Sequence, residues 1–325
     1  MAVAISLPNQ KGGVGKTTIA LHLAWRCQEL GLKTLGVDLD PQGNFSESML
    51  GADALERLDL EDQVLDSRIE KEGKAGGGDV CRMSYHLFSE ELPAPLAPYP
   101  TQHEGLDIIP AAINDDALGV ANQLPIEAVT RLAGHLATIR DRYDVIVIDV
   151  PPAKGIIHLS GLIASDKVVL PVMMSAYPMR GVKGMLETLK ELESVGNKTD
   201  LVGVLVNIYS SRSKEHREGV QMLDDHLGSL LLRNQIGYRA SLDTAVGEMR
   251  PVWRIGSGAA RDAAAQVRGA IEEVIERCGF RELIQADQEA REKAAKLRQR
   301  SAKASKAKKS SKRRSNQAAS QEVSS

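Results

Sequence analysis

The feature that most restricts the fold of this 325-residue chain is a glycine- and lysine-rich segment near its start. Residues 10–18 read Gln-Lys-Gly-Gly-Val-Gly-Lys-Thr-Thr, between a short apolar run at 3–7 and a helical pattern. Glycines allow backbone N–H groups to turn toward phosphate oxygens, and the helix N-terminus adds positive potential. Lys16 can then reach the outer phosphates, and the Thr17 hydroxyl can bind Mg²⁺. This segment, here called the phosphate loop, predicts a nucleoside triphosphate site.

Short runs rich in Val, Ile and Leu recur along the chain and alternate with helical patterns. Continuous apolar runs of this length are typical of strands buried on both faces of a sheet, and the connections are long enough for helices. The predicted fold class is therefore α/β, a mostly parallel twisted sheet with helices on both faces. The predicted strands are 3–7, 34–37, 106–109, 145–148, 168–172 and 201–206.

Charge is distributed unevenly, although the formal net charge is only −2. Residues 1–290 hold 29 Lys and Arg against 41 Asp and Glu, whereas residues 291–325 hold 12 against 2. Beyond about residue 300 the chain is mostly Ser, Lys and Ala, which bury too little apolar surface to fold alone. We predict a phosphate-loop domain over 1–280, with a Gly- and Pro-rich surface excursion at 71–101, and a basic, largely disordered tail over 281–325.

Composition excludes several classes of protein. No apolar stretch approaches the roughly 18–20 residues needed to span a bilayer. Residues 1–8 lack the basic flank and long apolar run of a secretory signal. The three cysteines are scattered and form neither a disulfide framework nor a metal-ligand cluster. We therefore expect a cytoplasmic protein.

Three motifs, in order, resemble those of the ParA/MinD family of deviant Walker A P-loop ATPases. Residues 11–18 (KGGVGKTT) resemble its Walker A motif, 37–44 (VDLDPQGN) its second motif, and 145–152 (VIVIDVPP) its Walker B strand and the following loop. An ordinary P-loop has Gly where this chain has Gln10, and Lys11 is an additional lysine. The resemblance covers about residues 2–280 and is closest to ParA-type DNA partition ATPases. It implies ATP and Mg²⁺ as cofactors.

The resemblance also implies roles for individual residues. Lys11 crosses to the partner subunit of an ATP-bound homodimer and neutralises phosphate charge there, and Lys16 acts within its own subunit. Asp40 orients the attacking water. Mg²⁺ is held by Thr17, Asp38 and Asp149. The other nucleotide-binding residues are Gly12, Gly13, Val14, Gly15, Thr18 and, for the adenine, Asn207.

Several of these side chains also have an ordinary structural interpretation. Asp149 suits a helix cap or turn, although it follows a clearly central strand. Asp38 and Asp40 suit solvated turn positions, but they follow a strand at the edge where open α/β sheets bind ligands. Asn207 suits a simple turn. The family commonly has Ile-Pro near Ile236, where this chain has Gly237, so the geometry of base contact stays open.

The tail bears on what the protein binds. ParA-type relatives bind double-stranded DNA nonspecifically as ATP dimers, whereas MinD relatives bind membranes through an amphipathic C-terminal helix. After residue 280 the chain offers Leu283, Ile284 and Leu297 among charges, too few for a membrane anchor, so membrane binding is not expected. Scattered arginines alternatively form solvated helix faces, and some basic tails only improve solubility. The candidate DNA contacts are Arg239, Arg250, Arg254, Lys308, Lys309, Arg313 and Arg314.

The implied function is an ATP-hydrolysing switch that partitions or positions a plasmid, a chromosome or a large protein assembly. It would bind nucleoid DNA in the cytoplasm, and a cargo-bound ParB-like or adaptor protein would stimulate hydrolysis. Two alternatives stay open. One is a MinD-like membrane-associated ATPase; the other is a metabolic P-loop ATPase, such as an amide-forming synthetase or an ATP-dependent reductase.

Overall fold

The computed structural model describes residues 1–297, except Ala153, residues 175–177 and Ser257. Within this part, the core of the fold is a seven-stranded sheet. Its strands are β1 (Val3–Ser6), β2 (Thr34–Asp38), β3 (Tyr99–Pro100), β4 (Leu106–Ile109), β5 (Val145–Asp149), β6 (Lys167–Met173) and β7 (Asp200–Asn207). The strands follow the order β3-β4-β2-β5-β1-β6-β7, and all neighbours are parallel except β3 and β4.

Helices connect the parallel strands, as crossover connections require. None of the described helices is long and apolar enough to cross a bilayer. The α-helices are α1 (Lys16–Glu29), α2 (Asn44–Leu50), α3 (Ala52–Glu72), α4 (Asp116–Val120), α5 (Arg131–Ala137), α6 (Ile156–Ile163), α7 (Pro178–Ser194), α8 (Lys214–Leu227), α9 (Ala240–Gly247) and α10 (Gly258–Ile275). Short 3₁₀ turns include Ser84–Phe88 and Val252–Arg254, and a π-helical turn spans Glu276–Phe280.

Helices cover both faces of the sheet. On β5, Ile146 and Ile148 belong to the same buried cluster as Leu136 of α5 and Ile157 of α6. Val147 alternates with them, so it faces the opposite side of the sheet, and it is buried too. On that second side α1 packs against β5 and β2. The α/β class and the sheet with helices on both faces are confirmed.

The six predicted strands are all present, and the structure adds a seventh at the sheet edge. Strand β3 is two residues long and antiparallel to β4. Pro100 lacks a backbone N–H, which confines it to an edge position where no second neighbour requires that donor. The Pro-rich segment therefore contributes to the sheet, which its composition did not predict.

The excursion at 71–101 is not simply a surface feature, and this part of the prediction is wrong. Cys81, Leu87 and Phe88 are buried in the cluster that includes Leu136 and Ile148. The Gly and Pro residues of the excursion mark turns, but the apolar residues between them fill the space beside α5. Burial of these side chains makes the excursion a part of the core.

The first compact unit of the chain spans Met1–Gly279, one residue short of the predicted boundary at 280. Residues 281–297, predicted as part of a largely disordered tail, are helical. They are rich in Ala, Glu, Lys, Arg and Leu, which lose little conformational freedom in a helix. Residues 298–325 lie outside the described part, so the assignment of a disordered tail stays a prediction there.

Candidate nucleotide site

The phosphate loop joins the end of β1 to the start of α1 and has the backbone that anion binding requires. Gly13 has φ 72° and Gly15 has φ 83°, a left-handed conformation that side chains with a Cβ rarely adopt. No described side chain caps the N-terminus of α1, so its first-turn N–H groups are left for a ligand. A Cβ at Gly15 would also lie 2.2 Å from Nδ2 of Asn207. Glycine at position 15 is therefore required twice over.

Two asparagines hold the phosphate loop in place. Nδ2 of Asn207, at the end of β7, donates a hydrogen bond of 2.8 Å to the Val14 carbonyl. Oδ1 of Asn9 accepts 2.8 Å from the Lys11 N–H, and its Nδ2 donates 2.6 Å to the Pro171 carbonyl. Sequence reasoning missed Asn9, and it predicted an adenine contact for Asn207, whose amide nitrogen is engaged by the loop. A contact between Asn207 and adenine stays a prediction. It would have to use Oδ1, because Nδ2 is bonded to the phosphate loop.

Lys16, Thr17 and Asp149 meet at the carboxyl ends of β1 and β5. The Thr17 hydroxyl donates 2.7 Å to Oδ2 of Asp149, and Oδ1 of Asp149 is buried with no hydrogen-bond partner among the described residues. Burial raises the pKa of Asp149 to about 7, against the effects of Thr17 and Lys16. Burial also lowers the pKa of Lys16, although Asp149 and Asp40 act in the opposite direction.

This arrangement fits a hydrated divalent cation. A buried carboxylate oxygen without a partner costs free energy unless something else satisfies it. Hard oxygen ligands, one carboxylate and one hydroxyl, are what Mg²⁺ takes beside the phosphates of a bound nucleotide. Thr17 and Asp149 are therefore the residues here that would hold the metal.

Asp38 lies beside Asp149, but both of its carboxylate oxygens accept hydrogen bonds from residues that follow β2. The two residues are register partners on β2 and β5. Oδ2 of Asp38 accepts from the backbone N–H and the hydroxyl of Ser46, and its Oδ1 accepts from the Asp40 N–H. Burial, and then the neighbouring Asp149 carboxylate, raise the pKa of Asp38 well above its ordinary value. Its predicted metal role stays open, while its support of the Asp40 loop is visible.

Ser46 extends this network and was missed at the sequence level. Its hydroxyl accepts 2.9 Å from the N–H of Ala111, so this serine of α2 joins Asp38 of β2 to the segment after β4. Asp40 is half-buried, and its Oδ1 accepts 3.1 Å from the Gln42 N–H. The carboxylate that is predicted to orient water is thus positioned by the turn that follows it.

Lys11, Gly12 and Gly13 are exposed, whereas Val14 and Lys16 are buried. An exposed Lys11 side chain at the outer end of the loop is compatible with its predicted reach to a partner subunit. The phosphate-loop residues, including Thr17 and Thr18 in the first turn of α1, are brought together as the sequence predicted.

The candidate DNA-binding arginines do not form one free cationic face in the described part of the chain. Nε of Arg254 donates 2.9 Å to Glu29, and Nε of Arg250 donates 2.7 Å to Glu248. Arg239 donates 3.0 Å to the carbonyl of Tyr238. Exposed ion pairs contribute little and exchange readily, so these arginines stay predictions. The other candidates, Lys308, Lys309, Arg313 and Arg314, lie outside the described residues.

Comparison with known proteins agrees with this geometry. The model of the AAA domain family (AAA_31) matches residues 2–201. The chromosome-partitioning ATPase Soj of Treponema pallidum is 31% identical over 257 residues, which cover 78% of this chain and 89% of that protein.

Two solved structures share the fold. A Cyanothece McdA variant in complex with ATP has a TM-score of 0.66 at 19% identity and covers 86% of this chain and 96% of that one. The septum site-determining protein MinD of Pyrococcus horikoshii with Mg-ADP has a TM-score of 0.61 at 20% identity and covers 86% and 98%. The motifs, the sheet and these relatives together show that the chain belongs to the AAA domain family, among the ParA/MinD P-loop ATPases.

Proposed function

We propose that this protein is a ParA-like ATPase that binds ATP with Mg²⁺, dimerises in the ATP state and uses hydrolysis to switch its hold on DNA. The observation that carries the proposal is the buried Oδ1 of Asp149, which no described residue bonds, beside Thr17 at the end of the phosphate loop. A site that only closed a turn would have no need to bury a carboxylate oxygen without a partner.

The residues of the site divide the work. The N–H groups of the phosphate loop and the Lys16 ammonium bind the phosphates, and Asn9 and Asn207 hold the loop rigid. Bound Mg²⁺ would draw negative charge away from the phosphate oxygens. Asp40 is half-buried and accepts a hydrogen bond from water, which it aligns for attack. Lys11 enters the pocket of a second copy, so that hydrolysis requires the dimer.

DNA and protein partners follow from charge and from the named relative. The last 35 residues carry 12 Lys and Arg against 2 acidic residues, which suits nonspecific contact with DNA phosphates. Soj of Treponema pallidum is named a chromosome-partitioning ATPase. By analogy, a cargo-bound protein stimulates hydrolysis, and the protein works on the nucleoid in the cytoplasm.

Co-sedimentation tests this function directly. The full chain is mixed with duplex DNA of arbitrary sequence, or with liposomes of anionic lipid, in the presence of Mg²⁺ and either ATP or ADP. We expect DNA binding with ATP, release with ADP, and no liposome binding. Nucleotide-dependent binding to liposomes would instead support a MinD-like ATPase. Binding to neither DNA nor liposomes would support a metabolic enzyme.

A further inference from the structure

A cavity of about 600 Å³ opens where the chain leaves β7, beside the segment that precedes α9. Its lining comes from two loops and one helix and combines apolar surface with polar groups, with Tyr209, Ser210, Arg212, Gly237, Arg239 and Gln266 among it. Tyr209 is two residues beyond Asn207, which binds the phosphate loop, and two residues of chain span at most about 7 Å. The volume is in the range of small-molecule sites. A nucleotide anchored in the phosphate loop therefore has a cavity close by for its base.

The turn between β7 and the cavity is strained. Ile208 has φ 56°, in the left-handed region that β-branched residues avoid. Hydrogen bonds of its two neighbours hold it there. Nδ2 of Asn207 donates to the Val14 carbonyl, and the Tyr209 N–H donates 2.9 Å to the Ile236 carbonyl. Such strain persists where the surrounding structure fixes the direction of the backbone. Here it lets one short turn serve both the phosphate loop and the cavity.

Gln266 on α10 presents an oriented amide to this cavity. The backbone N–H of Gly237 donates 3.1 Å to Oε1 of Gln266. Because a donor N–H requires the amide oxygen opposite it, the NH₂ group must occupy the other position. Among the described residues, Nε2 of Gln266 has no hydrogen-bond partner. Gln266 thus offers two N–H donors that no described residue accepts.

Gly237 is what allows the amide to be held there. A Cβ at this position would lie 3.1 Å from Oε1 of Gln266, 3.2 Å from Arg239 and 3.3 Å from the Tyr209 carbonyl. A side chain here would have to shift these groups by a few tenths of an ångström, and proline would in addition remove the N–H that orients the amide. The Ile-Gly sequence of this chain is therefore matched to a glutamine 29 residues later.

We propose that Gln266 is a base-recognition residue, whose Nε2 donates a hydrogen bond to a ring nitrogen of the adenine. The inference rests on the proposed function, because it assumes that ATP is the nucleotide. Adenine ring nitrogens are acceptors, so they complement the free donor, and Gly237 supplies the orientation that makes the contact specific. The base then contributes to affinity in addition to the phosphates.

The test compares a ligand that has a base with one that lacks it. Binding of a non-hydrolysable ATP analogue and of inorganic tripolyphosphate, each with Mg²⁺, is measured by calorimetry on the full chain. Gln266→Glu keeps an acceptor for the Gly237 N–H and removes the donor. We expect its affinity for the ATP analogue to fall about tenfold, as for one lost hydrogen bond, and its affinity for tripolyphosphate to change less than about twofold. Gln63→Glu, on the exposed side of α3, makes the same charge change and should alter neither.

Gln266→Leu serves as a second variant, because it removes the donor without adding charge. We expect the same selective loss, with circular dichroism unchanged. Wild-type affinity for the ATP analogue in both variants would overturn the inference, as would an equal loss for both ligands, which would indicate damage to the phosphate loop. Failure of the wild-type chain to bind either ligand would contradict the proposed function itself, and the inference with it.

Discussion

At the scale of single residues, the site combines buried charge with strict backbone geometry. Lys16 is 7% exposed and Asp149 is 1% exposed, so each charge depends on the other and on the ligand that joins them. Asp38 is fully buried against Asp149 and is bonded by Ser46. Electrostatic contacts in such surroundings are stronger than at the surface, and removing one partner is costly.

Lys16→Ala should abolish ATP binding. The ammonium is the charged donor of the phosphate loop, and hydrogen bonds to charged groups contribute about 1.5–3 kcal/mol each, so we expect a loss of about 100-fold or more. Calorimetric titration with an ATP analogue measures this. Lys33→Ala, at an exposed position, is the matched control. Undiminished affinity in Lys16→Ala would remove the basis of the nucleotide site.

Asp40→Ala should separate binding from hydrolysis. The carboxylate is half-buried in the turn after β2 and makes no direct bond to Thr17 or Asp149 among the described contacts, so ATP binding should persist. Loss of a group that orients water typically costs about 100-fold or more in rate. We therefore expect a dimer that stays on DNA with ATP, measured by phosphate release and co-sedimentation. Hydrolysis at the wild-type rate would show that another group orients the water.

At the scale of elements, α1 connects the nucleotide site to the 3₁₀ turn Val252–Arg254. Nδ1 of His22 donates 2.7 Å to the Thr18 carbonyl, one residue after Thr17, and its Nε2 accepts 3.2 Å from the Val252 N–H. The ring also makes edge contacts with Trp25 and Trp253. Both nitrogens are thus used by a neutral imidazole, which a second proton would disrupt.

Stability should therefore fall in mild acid through His22. Burial lowers the pKa of His22 from 6.5 to about 4, so between these values the unfolded chain binds the proton and the folded chain does not. The stability contribution is complete above about pH 6.5 and is lost as the pH falls, by about 2–3 kcal/mol near pH 4.5. Urea unfolding at about pH 7 and about pH 4.5 measures it. His22→Gln should flatten the pH dependence relative to the exposed His226→Gln; equal slopes would contradict this.

Asp62 fastens the excursion to α3. This carboxylate is 2% exposed, and its Oδ2 accepts 2.7 Å from the Met83 N–H and 3.1 Å from the Arg82 N–H. Asp62→Ala leaves buried donors unsatisfied and should lower the free energy of unfolding by about 2–4 kcal/mol. Asp53→Ala, exposed on the same helix, should change it by less than about 0.5 kcal/mol. Equal effects in urea unfolding would mean that the excursion is held by its apolar side chains alone.

The elements that could be predicted from the sequence are those with a local pattern of residues. The strands and α1 are marked by continuous or periodic apolar residues, and the phosphate loop by glycines at fixed spacing. The edge strand β3 has only two residues, one of them Pro100, so no pattern exists to detect. Ser46, Asn9 and the pairing of Gly237 with Gln266 depend on neighbours far away in the sequence, which spacing does not reveal.

At the scale of the whole molecule, the proposed switch needs an acidic ATPase unit and a basic segment to act on the same DNA. Residues 1–290 carry a formal net charge of −12 and residues 291–325 one of +10. The acidic body repels DNA phosphates, so the affinity must come from locally concentrated cations. Arg250 and Arg254 lie beside Glu248 and Glu29, whereas the tail holds 12 Lys and Arg within 35 residues, so the tail is the denser source of such cations.

Deletion of residues 291–325 should therefore weaken DNA binding and flatten its salt dependence. The slope of log affinity against log salt is about −0.9 per phosphate neutralised, so each tail cation that contacts DNA contributes nearly one unit. A full-length variant with the Lys and Arg after residue 297 replaced by Gln separates charge from length and should show most of the same loss. ATP binding should be unchanged in both, since the phosphate loop and Asp149 lie elsewhere in the chain. If the slope of the deletion variant equals that of the wild type, DNA phosphates are neutralised by cations of the folded part, such as Arg250 and Arg254, and not by the tail.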